Sequence, residues 1–231
     1  MTEVTIAAKD GGSFNAYLST PDTGPGPGVL VIQEIFGVNK VMRDIADGYA
    51  ALGFVALCPD LFWRQEPGIQ LTDQSEAEWA RAFELYQGFD EAAGVADLEA
   101  TLAHFRGVDE CTGKVGAVGF CLGGKLAYLV AARTDADCSV GYYGVGIENA
   151  LDEAANISAP LMLHIAEQDQ FCPAEAQSKI HKALGDHAAV TIHDYPGMDH
   201  AFARVGGEHY DADAASLANQ RTQDFFTHNL R

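Results

Sequence analysis

Residues 119–124, with the sequence GFCLGG, match the pattern G-x-nucleophile-x-G and place Cys121 in the position of the nucleophile. An apolar run, KVGAVG, precedes this stretch, and a run with helical spacing, KLAYLVAA, follows it. In such a strand–turn–helix the glycines let the backbone turn sharply, so that the central side chain projects above the carboxyl end of the strand. Because a helix N-terminus favours an anion, the turn predicts a reactive thiol at Cys121. The alternative is a buried structural cysteine in a glycine-rich turn.

Six apolar runs typical of strands alternate with segments of helical spacing: GVLVIQE, FVALCPD, KVGAVGF, SVGYYG, PLMLHIAEQD and AVTIHDYP. The alternation predicts an α/β fold with a mostly parallel central sheet and helices on both faces. EVTIAA and FNAYLST, on either side of the turn KDGG, predict an antiparallel hairpin at the sheet edge. We expect helices near residues 40–52, 73–87, 90–106, 122–132, 174–184 and 212–228. Since the length suits one core and no long linker interrupts the pattern, we predict a single domain over residues 1–231.

The charge and cysteine content exclude several classes of partner. The chain has 33 acidic and 14 basic side chains, a formal net charge of −19, so its field would repel nucleic acid and anionic membranes. The five cysteines form no C-x-x-C pair, which argues against a disulfide framework and against a cysteine zinc site. The start MTEVTIAAKD does not resemble a signal peptide, and no apolar stretch is long enough to span a membrane. We therefore expect a cytoplasmic protein that binds no metal and no cofactor.

Two residues can complete a nucleophile–acid–histidine set in the chain order that this type of turn requires. Asp169 follows an apolar run in HIAEQDQFCP, and His200 follows the next run in YPGMDHAFAR. Parallel α/β folds gather their active groups at the carboxyl ends of the strands, so we predict that Cys121, Asp169 and His200 act together. Taken singly, Asp169 could cap a helix and His200 could be a surface loop histidine.

Other polar residues carry weaker signals. His181, His187 and His193 are spaced six residues apart, which matches no metal-ligand pattern, so we expect solvated or capping roles. Cys58 and Cys138 lie in apolar runs and are predicted to be core residues. The acidic run DEAAGVADLEA is most simply a solvated helix face.

The chain resembles the dienelactone hydrolase (carboxymethylenebutenolidase) family of the α/β-hydrolase superfamily. The similar segments keep their order over nearly the whole length: VIQEIFGVN, CPDLFWRQEPG, GFDEAAGVADLEA, GKVGAVGFCLGGKLAYLVAA, VGYYGVGIE, QDQFCPA, DHAFAR and LANQRTQDF. The resemblance implies an α/β-hydrolase fold and a catalytic triad of Cys121, Asp169 and His200. It also implies the activity of a carboxylic ester hydrolase.

The family pattern assigns roles to three further residues. Glu34 matches a glutamate that keeps the thiol protonated until substrate binds and then accepts its proton. The backbone N–H groups of Ile35 and Leu122 match the family's oxyanion hole, in agreement with the general mechanism of such turns. The alternative for Glu34 is a strand-end carboxylate in water or in a salt bridge.

The family binds a substrate carboxylate with two arginines, and only one of them is matched in this chain. Arg204, on the loop after the predicted catalytic histidine, matches the first. On the helix of the 70s and 80s, Trp79 stands in place of the second, Phe83 in place of a tyrosine and Tyr86 in place of a tryptophan. Arg81 lies two residues further on, roughly 200° around a helix. The three aromatic residues either form a wall that favours a bulkier or less charged ligand or pack in the core.

The residues and the resemblance together predict a hydrolase that opens a small unsaturated lactone, converting dienelactone to maleylacetate in the breakdown of aromatic or chloroaromatic compounds. The reaction would proceed through an acyl-enzyme on Cys121. One alternative is a carboxylesterase or thioesterase that uses the same triad on less charged substrates. A second is a ligand-binding protein without catalysis. We expect a small lactone or ester as substrate and a monomeric protein.

Overall fold

A computed structural model describes residues 2–231, which form two compact units that meet in sequence between Val115 and Gly116. The N-terminal unit contains the strands β1 (Thr2–Ala7), β2 (Ser13–Ser19), β3 (Gly26–Ile32) and β4 (Val55–Pro59) and the helices α1 (Lys40–Ala51), α2 (Glu76–Gln87) and α3 (Glu91–Phe105). Its strands lie in the order β1-β2-β4-β3. β1 and β2 form the predicted antiparallel hairpin, and β3 and β4 are parallel. Every residue of β3 and β4 is buried, as expected for strands that are covered on both faces.

The C-terminal unit has strands in the order β5-β6-β7-β8, and each neighbouring pair is parallel. The strands are β5 (Cys111–Phe120, which begins in the N-terminal unit), β6 (Cys138–Tyr142), β7 (Leu161–Ala166) and β8 (Val190–Tyr195). The helices are α4 (Leu122–Arg133), α5 (Ala174–Leu184) and α6 (Ala212–Leu230), and two 3₁₀ segments cover Ile147–Asn149 and Leu151–Asn156. All residues of β6 and β7 are buried. The carboxyl ends of β5, β7 and β8 lead directly into the segments that carry the predicted nucleophile, acid and base.

The predicted α/β fold with a mostly parallel sheet is confirmed, whereas the single-domain organisation stays a prediction. Cys58 and Cys138 are fully buried, as predicted. The largest boundary difference concerns α2, which begins at Glu76 and not near residue 73. The Ser75 hydroxyl accepts the N–H of Glu78 at 3.3 Å and therefore caps the helix there. None of the helices within residues 2–231 is sufficiently long and apolar to cross a membrane.

Two polar side chains that were predicted to be solvated lie partly or fully inside the protein. Asp97, in the acidic run, is 1% exposed and accepts hydrogen bonds from Trp63 Nε1 and Arg64 Nη2, both at 2.8 Å. His193 is partly buried and stacks on His164, with 5.8 Å between the ring centroids. The prediction was wrong for Asp97, because its partners Trp63 and Arg64 lie on another segment and helical periodicity does not reveal them, whereas His193 keeps part of its surface exposed.

Candidate active site

The turn between β5 and α4 holds Cys121 in a strained backbone conformation, with φ 57° and ψ −114°. Residues other than glycine rarely adopt positive φ. The neighbouring chain leaves little freedom, since a Cβ atom at Gly119 would overlap the carbonyl oxygen of Gly123, and one at Gly124 would overlap that of Tyr142. The Cys121 N–H donates to the Tyr142 carbonyl at 3.1 Å. The turn therefore fixes Cys121, which is partly exposed, at the N-terminus of α4.

Asp169 and His200, on the segments after β7 and β8, are buried and in direct contact. His200 Nδ1 lies 2.7 Å from Asp169 Oδ2. The other carboxylate oxygen, Oδ1, accepts the backbone N–H groups of Phe171 at 2.8 Å and Cys172 at 3.2 Å. Because the carboxylate only accepts, Nδ1 of His200 carries the hydrogen, which leaves Nε2 as the basic nitrogen.

The side chain of Cys121 is within hydrogen-bonding reach of His200. Burial lowers the pKa of His200, but the charge of a Cys121 thiolate and the hydrogen bonds with Asp169 and Cys121 outweigh it and raise this pKa to about 10. The Asp169 carboxylate, and a thiolate at Cys121 when one is present, therefore both favour the charged imidazolium form of His200.

Aromatic side chains enclose the histidine. The rings of Tyr143 and Phe171 meet His200 edge-on, with centroid distances of 5.2 Å and 4.9 Å. Cys172 lies in the same region but is buried, and burial together with the charges of Asp169 and Glu148 raises the pKa of its thiol to about 12. Cys172 is therefore a neutral thiol and not a second nucleophile.

Four further predicted residues occupy the two units. In the C-terminal unit, Arg204 is only 9% exposed in the segment that carries His200. Leu122 is the first residue of α4, so the helix itself offers no acceptor for its N–H. In the N-terminal unit, Glu34 and Ile35 follow β3, where both side chains are buried.

Two aromatic residues of α2, Trp79 and Phe83, form a cluster with Phe36 that solvent can reach. Trp79 stacks on Phe83 at 5.5 Å between centroids and meets Phe36 edge-on at 5.0 Å. Its Nε1 donates to the Asp73 carbonyl at 3.0 Å. Phe83 is 37% exposed, and Trp79 and Tyr86 are partly exposed. None of the three is a buried core residue, so the core-packing alternative is wrong.

Arg81 is held by acidic side chains of its own unit. Its guanidinium pairs with Glu66 at 2.5 Å and with Glu84 one helical turn away. The hydrogen bonds with Glu84 and Glu66 raise the pKa of Arg81. These two ion pairs already balance the charge of Arg81, so it has less attraction left for a substrate carboxylate.

The sequence reasoning missed His164, which lies fully buried in β7. The available signal was one polar residue in the otherwise apolar run PLMLHIA. Since strand interiors of this kind rarely hold a histidine without a hydrogen-bonded role, such a residue indicates a buried polar network.

Comparisons with known proteins identify the family of the chain. The sequence matches the model of the dienelactone hydrolase family over residues 14–230. A relative from Azospirillum brasilense is 50% identical over 241 residues, which cover all of both chains. A carboxymethylenebutenolidase of Pseudomonas putida is 42% identical over 222 residues, 96% of this chain and 94% of its own. A solved dienelactone hydrolase-like promiscuous phosphotriesterase from metagenomic libraries shares the fold, with a TM-score of 0.83 at 23% identity over 100% of this chain and 99% of its own. The chain belongs to the dienelactone hydrolase family and is therefore an enzyme, a hydrolase of the α/β-hydrolase superfamily.

Proposed function

We propose that this enzyme hydrolyses dienelactone, 4-carboxymethylenebut-2-en-4-olide, to maleylacetate through a covalent intermediate on Cys121. The observation that carries the proposal is the strained turn that holds Cys121 beside the His200–Asp169 pair. The substrate class is supported by relatives named carboxymethylenebutenolidase that are 42% and 44% identical to this chain. Breakdown of aromatic compounds in the cytoplasm is the proposed setting.

In the first half of the reaction, the thiolate of Cys121 attacks the carbonyl carbon of the lactone. The oxyanion that forms is bound by the N–H of Leu122. When the intermediate collapses, the ring C–O bond breaks and the oxygen leaves as an enolate on the same acyl chain. The imidazolium of His200 protonates the enolate, which becomes a ketone.

In the second half, His200 is neutral and its Nε2 accepts a proton from water. The resulting hydroxide attacks the thioester, and the Cys121 thiolate leaves as maleylacetate is released. Asp169 keeps the hydrogen of His200 on Nδ1 throughout, so Nε2 is available in both steps. The family resemblance adds a second oxyanion donor, the Ile35 N–H of the N-terminal unit. The role that it implies for Glu34, acceptance of the thiol proton, replaces the preformed thiolate if Cys121 is a thiol before substrate binds.

Arg204 is the proposed anchor for the substrate carboxylate. The chain carries a net charge of −19, so an anionic substrate needs a local cation to bind. Arg204 is largely withdrawn from water, which strengthens its attraction for an anion.

The first test is kcat/KM for cis- and trans-dienelactone beside an uncharged aryl ester. Cys121→Ala is the blank, and Cys111→Ala, which removes another partly exposed thiol, is the matched control. We expect kcat/KM for dienelactone to exceed that for the aryl ester by orders of magnitude. Cys121→Ala should have no hydrolytic activity, and Cys111→Ala should have native activity. Hydrolysis that survives in Cys121→Ala would contradict the mechanism.

A carboxylesterase or thioesterase acting on less charged substrates is the second candidate. It is favoured by the ion pairs that engage Arg81 and by the exposed aromatic cluster around Trp79. If it is correct, the aryl ester is preferred, and Trp79→Arg lowers KM for dienelactone while it raises KM for the ester. A chain that hydrolyses nothing in either class, yet gains thermal stability with a ligand, would be a binding protein.

A further inference from the structure

A chain of buried hydrogen bonds lies within the C-terminal unit, away from the reacting atoms, and centres on His164. Nδ1 of His164 is 2.8 Å from the hydroxyl of Tyr195, and Nε2 is 3.0 Å from the hydroxyl of Thr222. The Thr222 hydroxyl is in turn 2.7 Å from that of Tyr142. All four side chains are almost completely buried. The chain thus joins β6, β7 and β8 to α6.

One end of this chain is an obligate donor. Arg221 Nη1 can only donate, and it donates to the Tyr195 hydroxyl at 3.1 Å. The Tyr195 hydroxyl accepts from Arg221 and still has its own proton to donate. If it donates that proton to Nδ1 of His164, a neutral His164 carries its hydrogen on Nε2.

The other end gives the same direction. Asn219 Oδ1 can only accept, and it takes the proton of the Tyr142 hydroxyl at 3.0 Å. The Tyr142 oxygen must then accept from Thr222, whose own oxygen accepts Nε2–H of His164. Each hydroxyl donates once and accepts once, and no donor of the chain lacks an acceptor.

The other neighbours of His164 also favour the neutral ring. Burial first, and then the charges of His193 on β8 and Arg221 on α6, hold the pKa of His164 well below its ordinary value. Protonation would put a second donor on Nδ1, opposite the Tyr195 hydroxyl. The neutral ring is therefore favoured, and it is the form that completes the chain.

The backbones of the same residues hold the segments of the site. The carbonyl of Tyr142 accepts the N–H of Cys121 at 3.1 Å. The carbonyl of Tyr195 accepts two N–H groups, of Glu167 and Met198, each at 3.2 Å. Glu167 begins the segment that carries the predicted acid, and Met198 lies in the segment that carries the predicted base. Any shift of Tyr142 or Tyr195 is thus passed to all three parts of the site.

We propose that Thr222, His164 and Tyr195 are positioning residues that hold the strand ends of Cys121 and His200 at a fixed separation. The inference rests on the proposed hydrolase function. Thr222 acts from α6 through His164 and Tyr142 and touches no reacting atom. Loss of one link leaves a buried donor unsatisfied, and the strand ends move apart to relieve it.

Thr222→Val tests this proposal because it keeps the shape of the side chain and removes the hydroxyl. We expect kcat to fall about ten- to hundredfold, the effect of one unsatisfied buried group, while KM stays within about twofold. The basic limb of the pH profile should move to lower pH because His200 separates from its partners. Thr222→Ser restores the hydroxyl and should recover kcat to within about threefold of native.

Phe226→Leu is the matched control, since it removes buried packing one turn further along α6 without removing a hydroxyl of the chain. It should lower Tm and leave kcat and the pH profile unchanged. Tyr195→Phe removes the hydroxyl of the chain on β8 and should lower kcat as much as Thr222→Val does. It tests the proposal independently if the Thr222→Val protein does not fold. A Thr222→Val protein with lower Tm but native kcat and pH profile would overturn the proposal, as would failure of Thr222→Ser to recover activity.

Alkylation of Cys121 by iodoacetamide separates this inference from the proposed function, because it needs no substrate. If the native enzyme does not hydrolyse dienelactone, the proposed function fails, whereas the ratio of alkylation rates still tests the positioning role. We expect Thr222→Val to be alkylated at least about fivefold more slowly than native, because the thiolate loses its fixed partner. Equal rates would overturn the inference.

Discussion

Asp169→Asn measures how much of the chemistry depends on the charge and hydrogen position of His200. Asp169 Oδ1 already accepts the N–H groups of Phe171 and Cys172, so an asparagine keeps its carbonyl oxygen there and turns its amide nitrogen toward His200. Two donors would then face each other across the 2.7 Å that now separates Oδ2 from Nδ1. His200 must move its hydrogen to Nε2 or turn its ring, and either change removes the base that the thiol and water need.

The structure sets the size of the effect. The lost hydrogen bond is charge-assisted and is worth about 1.5–3 kcal/mol. At about 1.4 kcal/mol per factor of ten, kcat/KM should fall at least ten- to hundredfold. Burial opposes the charged imidazole of His200, while the Cys121 thiolate and Asp169 raise its pKa to about 10. Removing Asp169 therefore moves the basic limb of the kcat/KM profile from near pH 10 to lower pH.

The same shift predicts a change in stability with pH. A folded-state pKa above the unfolded value of about 6.5 stabilises the protein fully below that pH. The contribution disappears as the pH rises toward 10. As the pH rises from about 6.5 to about 10, the Asp169→Asn variant should therefore lose less of its free energy of unfolding than the native protein. Urea denaturation at pH 6 and at pH 10 can measure this difference.

Asp199→Asn is the control for this change. Asp199 lies next to His200 and accepts its backbone N–H at 2.6 Å, but it does not bind the imidazole ring. Its substitution should leave the position of the basic limb unchanged and change kcat/KM by less than about threefold. The reasoning is refuted if Asp169→Asn retains kcat/KM within twofold and keeps the basic limb of native enzyme.

Three other predictions concern the turn, the core and the thiol. Gly119→Ala should abolish activity and lower Tm, because the new Cβ would overlap the Gly123 carbonyl. Gly48→Ala, in open space on α1, should instead raise the free energy of unfolding by about 0.5–1 kcal/mol, as measured by thermal denaturation. Equal effects would contradict the packing of the turn. Asp97→Asn removes the buried charge that pairs with the partly exposed Arg64, so it should lower the free energy of unfolding, measured in urea, by about 1–3 kcal/mol. Glu99→Gln breaks an exposed pair with Lys9 and should lower it by less than about 1 kcal/mol. Free enzyme at pH 7 should react with iodoacetamide at Cys121 within minutes, since His200 stabilises the thiolate. Slow alkylation that a substrate analogue accelerates would instead support the role implied for Glu34.

The fold and the central residues of the site could be predicted from local rules. The turn around Cys121 is recognisable because backbone sterics demand glycine at fixed distances from a strained residue. Asp169 and His200 could be predicted because each follows a strand whose apolar run is visible in the sequence. These signals lie within about ten residues of the functional group, so a single sequence contains them.

The buried polar contacts could not be predicted in the same way. His164 and Thr222 are 58 residues apart, and Arg64 and Asp97 are 33 apart. Such pairs depend on which helix packs over which strand, and no periodicity specifies this for one side chain. A histidine in an apolar strand signals that a partner exists, but it does not identify the partner.

Backbone strain connects the predicted part of the site with the unpredicted part. Among residues 2–231, the non-glycine residues with positive φ are Cys121, Tyr143 and Ala201, at 57°, 37° and 62°. Each costs about 1–3 kcal/mol, a large share of the 5–15 kcal/mol by which proteins are commonly stable. All three lie in the C-terminal unit: Cys121 and Tyr143 directly follow β5 and β6, and Ala201 lies next to His200 in the segment after β8. Strain of this size persists only where surrounding bonds over-determine the backbone, and the hydrogen-bonded chain through His164 supplies such bonds at these strand ends. The buried chain is thus what allows the site to keep a geometry that an isolated turn would relax.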